Sequence, residues 1–326
     1  MYKLTIGIPT FNRNRILVKT VSRIAEQLED NVELLIIDNN SDIPANDSLR
    51  ELDKKNIRII RNNSNIGGNA NILRCTEEAS GEYVWVLGDD DLPISHAVKY
   101  ILELLESNKD VLWINFKSND LINQPSRIED KKCHSLKSFL ESFSSISELV
   151  FISNNVIKTE FAKKGMHYGF EHIEKNFPIG VSVIRALSKW DENGLYLIQN
   201  KDLFESIGNI NEERIVLPNW LIYIGIIRLI QVPFSKEIDS QILRLVRGAR
   251  KAWISNKFLF SGLSYYIKKN GRRRTFLHTG EIIGLIILLD KFKSPVTIFL
   301  LFLTFLMGGN YVYIIDKISK NSKLRT

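Results

Sequence analysis

Residues 81–93 read GEYVWVLGDDDLP. An apolar run from Tyr83 to Leu87 ends in Asp89, Asp90 and Asp91, three carboxylates at the mouth of what should be a buried strand. Adjacent carboxylates repel one another, which costs stability unless a cation neutralises them. Hard oxygen ligands of this kind suit Mg2+ or Mn2+, ions that keep several waters and take the oxygens of a diphosphate. The competing reading is a solvated turn that caps a helix beginning near Ser95, with Asp91 or Ser95 as the cap.

The sequence upstream favours the first reading. Apolar runs LTIGIP, VELLIID, IRIIR, EYVWVL and VLWINF alternate with segments of helical spacing at 16–28, 47–54, 69–79 and 95–106. Near-continuous apolar strands separated by helices predict an α/β fold with a mostly parallel sheet covered on both faces. In such sheets ligands sit at the carboxyl ends of the strands. Those ends read PTFNR, DNNSD, NNSNIGGN and GDDD, all polar and turn-forming, and together they share one rim. Asp38 closes a buried strand, where its carboxylate can accept from the N3–H of uracil or thymine; an Asx-turn role is the alternative. Gly67 and Gly68 let the chain pass close to a ligand at a helix start. There is no GxGxxG or Walker A pattern, which argues against a dinucleotide site or a P-loop.

The whole composition is that of a folded protein: 326 residues, 44% hydrophobic and 25% charged. Cys75 and Cys133 are too few for a disulfide framework and lack zinc spacing, so a reducing setting is expected. The apolar start is too short for a signal peptide and reads as a first strand. Beyond Lys117 the alternation fades; Leu136–Leu149 reads as a helix and FISNNVI as a further strand.

The segments IGIPTFNR, ELLIIDNNSD, NIGGNANIL and ASGEYVWVLGDDD, in that order, resemble the nucleotide-binding half of family 2 glycosyltransferases with the GT-A fold. The LGDDD form followed by Pro93 is most similar to the abequosyltransferase-like branch of bacterial surface-polysaccharide enzymes. The resemblance implies three regions: a nucleotide-sugar-binding half at 1–116, an acceptor-binding half at 117–212 and a mainly helical C-terminal region at 213–326. It implies that Pro9, Thr10, Phe11, Asn12, Asp38 and Asn40 hold the base, that Gly67 and Asn71 lie along the donor, and that Asp89, Asp90 and Asp91 form a DXD motif. Asp89 and Asp90 then contact the nucleotide sugar, and Asp90 and Asp91 the metal. Two departures stand out: many relatives have LDxDD where this chain has Gly88, and an Arg often precedes the Asn after the glycines, where Ala70 stands here. The first departure makes Asp90 the preferred metal ligand.

The activity implied is metal-dependent, inverting transfer of a sugar from a UDP- or dTDP-linked donor to a lipid-linked glycan. Such transfer needs a base to take the acceptor's proton. The family often carries a Glu-Asp pair in its second half; the candidates taken for the base here are Glu171 and Glu174 in YGFEHIEKNFP, at a spacing that puts both on one helical face. Glu171 is preferred as the base, against the alternative of an exposed acidic face. Ser153 and Asn154 are candidates for the acceptor pocket. A sugar nucleotidyltransferase is disfavoured by the absence of a Gly-rich, Arg-containing first-strand loop, and a sugar-nucleotide binder that has lost its base stays open.

The net charge of +7 is concentrated late, in KKNGRRR at Lys268–Arg274 and in Lys317, Lys320, Lys323 and Arg325. From Ser294 to Ile315 run 22 residues without a charge. As a helix they would reach ~33 Å, enough for a hydrocarbon core of roughly 30 Å, although Gly308–Asn310 interrupts them. Basic clusters beside apolar helices fit docking on the cytoplasmic face of a membrane, by interfacial, re-entrant or spanning attachment, with a buried core contact as the alternative. Nucleic acid is the poorer partner, since no binding motif accompanies the basic runs.

Overall fold

The computed structural model describes residues 2–52, 56–117, 129–190, 193–206 and 225–252. Ten strands occur among them: β1 Leu4–Thr10, β2 Val32–Asp38, β3 Ile57–Arg61, β4 Tyr83–Val86, β5 Asp91–Pro93, β6 Val111–Lys117, β7 Lys131–Ser135, β8 Asn155–Lys158, β9 Asn193–Asp202 and β10 Phe204–Ser206. Eight form one sheet in the order β3-β2-β1-β4-β8-β6-β9-β7, and β5 pairs with β10 in a separate antiparallel ribbon. The first four strands are mutually parallel.

Because successive side chains on a strand point to opposite faces, each apolar run feeds two cores. Leu34 and Ile36 join Ile6, Ile8 and Trp85 on one face, under the helices Asn14–Ala25 and Ala97–Ser107. Leu35 and Ile37 join Val84, Val86 and Trp113 on the other, under Gly68–Glu77, Pro178–Trp190 and the C-terminal helix Lys236–Ala252. Both faces are covered, which is why these strands carry no polar alternation.

The sheet departs from the expected pattern between β4 and β6. Those strands are not neighbours, because β8 runs antiparallel between them. Asn155 holds it in place: its Oδ1 accepts from Trp113 Nε1 at 2.8 Å and from Asn115 Nδ2 at 2.9 Å, and its Nδ2 donates to the carbonyls of Leu149 and Phe151. The two halves of the chain therefore share one continuous sheet. The helix expected over Leu136–Leu149 is two, Leu136–Glu141 and Ser147–Val150; between them Glu148 Oε1 accepts from Ser144 and Ser145 and holds the chain in a turn.

No described helix is long and apolar enough to cross a membrane. The basic run 268–274 and the uncharged run 294–315 lie outside the described residues.

Removal of the Asn155 amide would leave the indole N–H of Trp113 and the amide of Asn115 buried without this acceptor, at ~1–3 kcal/mol for each group. Asn155→Ala is expected to lower the unfolding free energy by about 2 kcal/mol or more in urea titrations. An unchanged midpoint and slope would show that β8 is held by other means.

Candidate active site

The strand ends create the site through their register. Thr10, Asp38 and Arg61 are level with one another across β1, β2 and β3. β4 stops short, with Val86 opposite Gly7, so β1 runs three residues further. The chain after β4 folds back over that overhang: Leu87 N donates to Gly7 O at 2.9 Å, and the Gly88–Asp91 turn closes with Asp91 N on Gly88 O at 3.1 Å.

Four groups from elsewhere in the chain hold the three acids. Thr10 Oγ1 donates to Asp89 Oδ2 at 2.8 Å, and Thr20 Oγ1 donates to the Asp89 carbonyl at 2.8 Å. The Arg13 guanidinium reaches both Asp89 Oδ1, at 2.5 Å through Nη1, and Asp90 Oδ2, at 2.8 Å through Nη2. Ser153 Oγ donates to Asp91 Oδ2 at 2.5 Å and accepts from Gly88 N at 2.9 Å. A side chain at position 88 would put its Cβ 2.7 Å from Asp91 Oδ2, so it would push the Asp91 carboxylate from its place against Ser153. This is a physical reason for the Gly that replaces the common family acid.

The repulsion among the acids is thus met from within the chain. Burial pushes the Asp89 carboxyl up to about 6, helped by Asp90 and opposed by Arg13 and the Thr10 hydroxyl. Burial also works against the Arg13 charge, but Asp89, Asp90 and Asp91 outweigh it and hold its pKa above the ordinary value. Asp89 is therefore mainly ionised at neutral pH and paired with Arg13. The turn does not cap the following helix, which begins at Ala97 with His96 as its N-cap and no side-chain capping bond.

The three acids are not equivalent. Asp89 is buried with both oxygens engaged, and Asp91 is buried and bonded to Ser153. Asp90 is the open one, with 30% of its side chain exposed. Among the described residues no three His, Cys, Asp or Glu side chains are grouped as a protein-only metal cage. The donor set does fit a hydrated Mg2+ or Mn2+, which needs one or two carboxylates and takes the remaining oxygens from water and a diphosphate.

The neighbouring loops are tied to this turn and to each other. Asn12, at φ 53°, donates its backbone N–H to Ser41 Oγ, and its side chain exchanges hydrogen bonds with Asp42. Pro9 and Phe11 flank it, half-buried. Asp38 differs from its expected role. It is 1% exposed, and its carboxylate accepts from Ser41 N, Ala45 N and Arg61 Nη1. Burial works upward on its pKa, but these hydrogen bonds prevail and lower it. As it stands Asp38 anchors the loop after β2 instead of presenting its carboxylate to a base. Arg61 also donates to Asn40 Oδ1, holding that residue at φ 66°.

Asn71 likewise points inward. It is 2% exposed, donates to Ile37 O and accepts from Asn62 Nδ2, which also donates to Asn39 Oδ1. Asn39 in turn donates to Asn65 Oδ1, which accepts from the N–H of Gly67. The amides clustered in DNNSD and NNSNIGGN are therefore one network that fixes the loops after β2 and β3. Gly67, at φ 88°, occupies backbone space that favours glycine.

Glu171 and Glu174 do not share a helical face. The helix Met166–Glu171 ends at the first, and Glu174 sits in the 3-10 turn Ile173–Lys175 that follows. Asn69 Nδ2 donates to Ile173 O and Asn176 Oδ1, which docks this segment on the first turn of Gly68–Glu77. Glu174 is ion-paired with Lys175 at 2.9 Å; burial works upward on its pKa, but the Lys175 hydrogen bond leaves it lowered. Glu171 is exposed. Ser153 belongs to the acid turn, and Asn154 beside it is buried with neither amide atom hydrogen-bonded.

With this geometry, residues 5–147 match the family model described as Glycosyl transferase family 2. This segment, less than half of the chain, is similar to family 2 glycosyltransferases. It is 33% identical over 106 residues to the GalNAc(5)-diNAcBac-PP-undecaprenol beta-1,3-glucosyltransferase of Campylobacter jejuni, covering 32% of this chain and 34% of that one. It is 28% identical over 113 residues to the abequosyltransferase RfbV of Salmonella typhimurium, covering 33% and 34%. The matches span about a third of the length of these curated relatives. Among solved structures, residues 1–349 of S. aureus TarS in complex with UDP-GlcNAc superpose with a TM-score of 0.57 at 12% identity, covering 97% of this chain and 92% of that one. The fold is GT-A.

Sequence reading gave Arg13, Thr20 and Arg61 no role, although each is a hinge of the network. The available signal for Arg13 was charge: a basic residue just past β1, on the rim that receives three acids.

Asp38 contributes stability above its unfolded pKa of about 3.9 and loses it as pH falls through its lower folded value. Asp38→Asn is therefore expected to reduce stability near neutral pH and to flatten the loss of stability below about pH 4, measured by urea unfolding across pH. An unaltered acid limb would mean that the carboxylate carries no net stabilisation.

Proposed function

We propose that the protein is a metal-dependent, inverting glycosyltransferase that moves a sugar from a nucleoside diphosphate to a lipid-linked glycan in bacterial surface polysaccharide assembly. The observation that carries this reading is the rim itself: Thr10, Arg13, Asp89 and Asp90 are joined at the carboxyl ends of parallel strands in a segment similar to family 2 glycosyltransferases. Asp90 is the residue that would hold Mg2+ or Mn2+, with Asp91 behind it. A divalent cation bound there supplies electrostatic stabilisation of the leaving diphosphate.

The chain's own residues supply the rest. The linked loops after β1, β2 and β3 give a fixed bed for the nucleotide. We assign the donor to the UDP or dTDP class, in line with the UDP-GlcNAc held by the TarS structure of the same fold; Asp38 contributes by anchoring the loop after β2 through Ser41, Ala45 and Arg61. The acceptor hydroxyl attacks the anomeric carbon as the diphosphate departs, and Glu171 takes its proton. Support for Glu171 over Glu174 is that Glu174 is held by Lys175.

A thermal-shift screen with Mn2+ is expected to raise the melting temperature with one UDP- or dTDP-sugar, and Asp90→Ala to abolish the shift. Glu171→Gln should retain that shift and lose transfer at least about 100-fold, the scale of general base catalysis. No shift with any nucleotide sugar would sink the donor site; full transfer by the Gln variant would remove Glu171.

The membrane face enters on two supports. The late basic clusters adjoin the uncharged run 294–315, and the Campylobacter relative is named for an undecaprenol-linked substrate. The full chain is expected to co-float with phosphatidylglycerol-containing vesicles at physiological salt. Protein that stays at the bottom of the gradient would argue against a membrane-surface role.

A further inference from the structure

We propose that Arg13 is the resident cation of the acid turn, a positioning residue that competes with the divalent metal for Asp90. The inference rests on the glycosyltransferase reading above and deepens it. A single guanidinium bridges two carboxylates, and its two ends are held differently. The end on Asp89 is anchored: that carboxylate has a side-chain exposure of 6% and receives Thr10 as well. The end on Asp90 meets the only open acid of the turn, at 30% exposure.

Three further features fix Arg13 in this role. Its backbone is locked at the start of the helix Asn14–Ala25, where its carbonyl accepts from Ile16 N and Leu17 N at 3.0 and 2.9 Å. Only its side chain is available to move. Its Nη groups are matched to separate acids, so the fork holds Asp89 and Asp90 at a set separation with no metal present. The guanidinium also outlasts any working pH as a cation, so the occupancy of Asp90 is decided by competition between two positive charges.

The consequence is an exchange at one oxygen. Asp90 Oδ2 is the atom that Arg13 Nη2 holds. When Asp90 turns its carboxylate to a cation, Nη2 loses its acceptor and is left with a donor suited to a diphosphate oxygen, while Nη1 keeps Arg13 on Asp89. Arg13 thus keeps the turn assembled before loading and offers a hydrogen bond to the donor afterwards.

The experiment is a Mn2+ titration of the full chain without nucleotide, read from the EPR signal of free Mn2+, on wild type, Arg13→Gln, Arg13→Lys and Asp90→Asn. Arg13→Gln is expected to bind Mn2+ on the order of tenfold more tightly than wild type, because one charge-assisted hydrogen bond no longer has to be broken. It should also melt lower than wild type without Mn2+ and recover with it. Arg13→Lys keeps the charge but cannot fork, so it should show a smaller gain, and this variant serves if Arg13→Gln does not fold. Asp90→Asn should bind weakly. A merely structural Arg13 would lower the melting temperature and leave Mn2+ affinity unchanged or weaker, and that result overturns the proposal; so does an absence of Mn2+ binding in every variant. Failure of the nucleotide screen would instead sink the donor site, whatever the Mn2+ titration gives.

Discussion

The acid turn at Gly88–Asp91 is the constraint around which the rim is organised. Three carboxylates in one turn are tolerable because Arg13 bridges Asp89 and Asp90, Thr10 and Ser153 donate to Asp89 and Asp91, and Thr20 holds the Asp89 carbonyl. Removing one partner from a buried ion pair typically costs ~3–5 kcal/mol, since the remaining charge is left uncompensated. Arg13 and Asp89 are sufficiently buried for that scale to apply, with side-chain exposures of 17% and 6%. The turn therefore links the first strand, the first helix, β4 and the segment before β8 in a single electrostatic unit. The fold cannot vary one of these without disturbing the others.

The opposite side of the rim is held by neutral amides. Asn39, Asn62, Asn65 and Asn71 bond one another and the backbone, so the loops after β2 and β3 are fixed by short side chains with little rotamer entropy to lose. Where the acid turn concentrates charge, this network avoids it. A nucleoside and its diphosphate need such a division: a neutral, shaped region for the base and a charged region for the phosphates. Asp38 lies between them, an acid neutralised by Arg61 and held by backbone N–H groups.

The parallel strands were legible because burial on both faces leaves apolar runs of four to seven residues bounded by polar turns, a length that favours strand over helix. β8 and β9 were harder to read. β8 begins at Asn155 in a polar stretch, and its place between β4 and β6 depends on Trp113 and Asn115, about 40 residues earlier. The acid cluster was visible as a site, but the group that neutralises it was not, since Arg13 and Asp89 are separated by 76 positions. Asp38 and Asn71 were found at the right strand ends, yet their hydrogen bonds turn inward, which position alone does not reveal. The spacing of Glu171 and Glu174 suggested one helix; the chain breaks it at His172 and turns through Asn176, at φ 56°, to enter the helix Pro178–Trp190.

An internal counter-ion changes what a metal has to accomplish. If the three acids depended on Mg2+ or Mn2+ for their stability, the turn would be strained before loading. With Arg13 in place they are already paired, and Asp90 is given up only in exchange for another cation. A diphosphate favours that exchange twice, by supplying oxygens to the metal and by accepting the hydrogen bond that Arg13 has released. Metal and donor are then expected to bind with positive coupling, since each removes a cost that the other would meet alone. The position of Arg13, anchored on the buried acid and released from the open one, is the structural basis of that coupling.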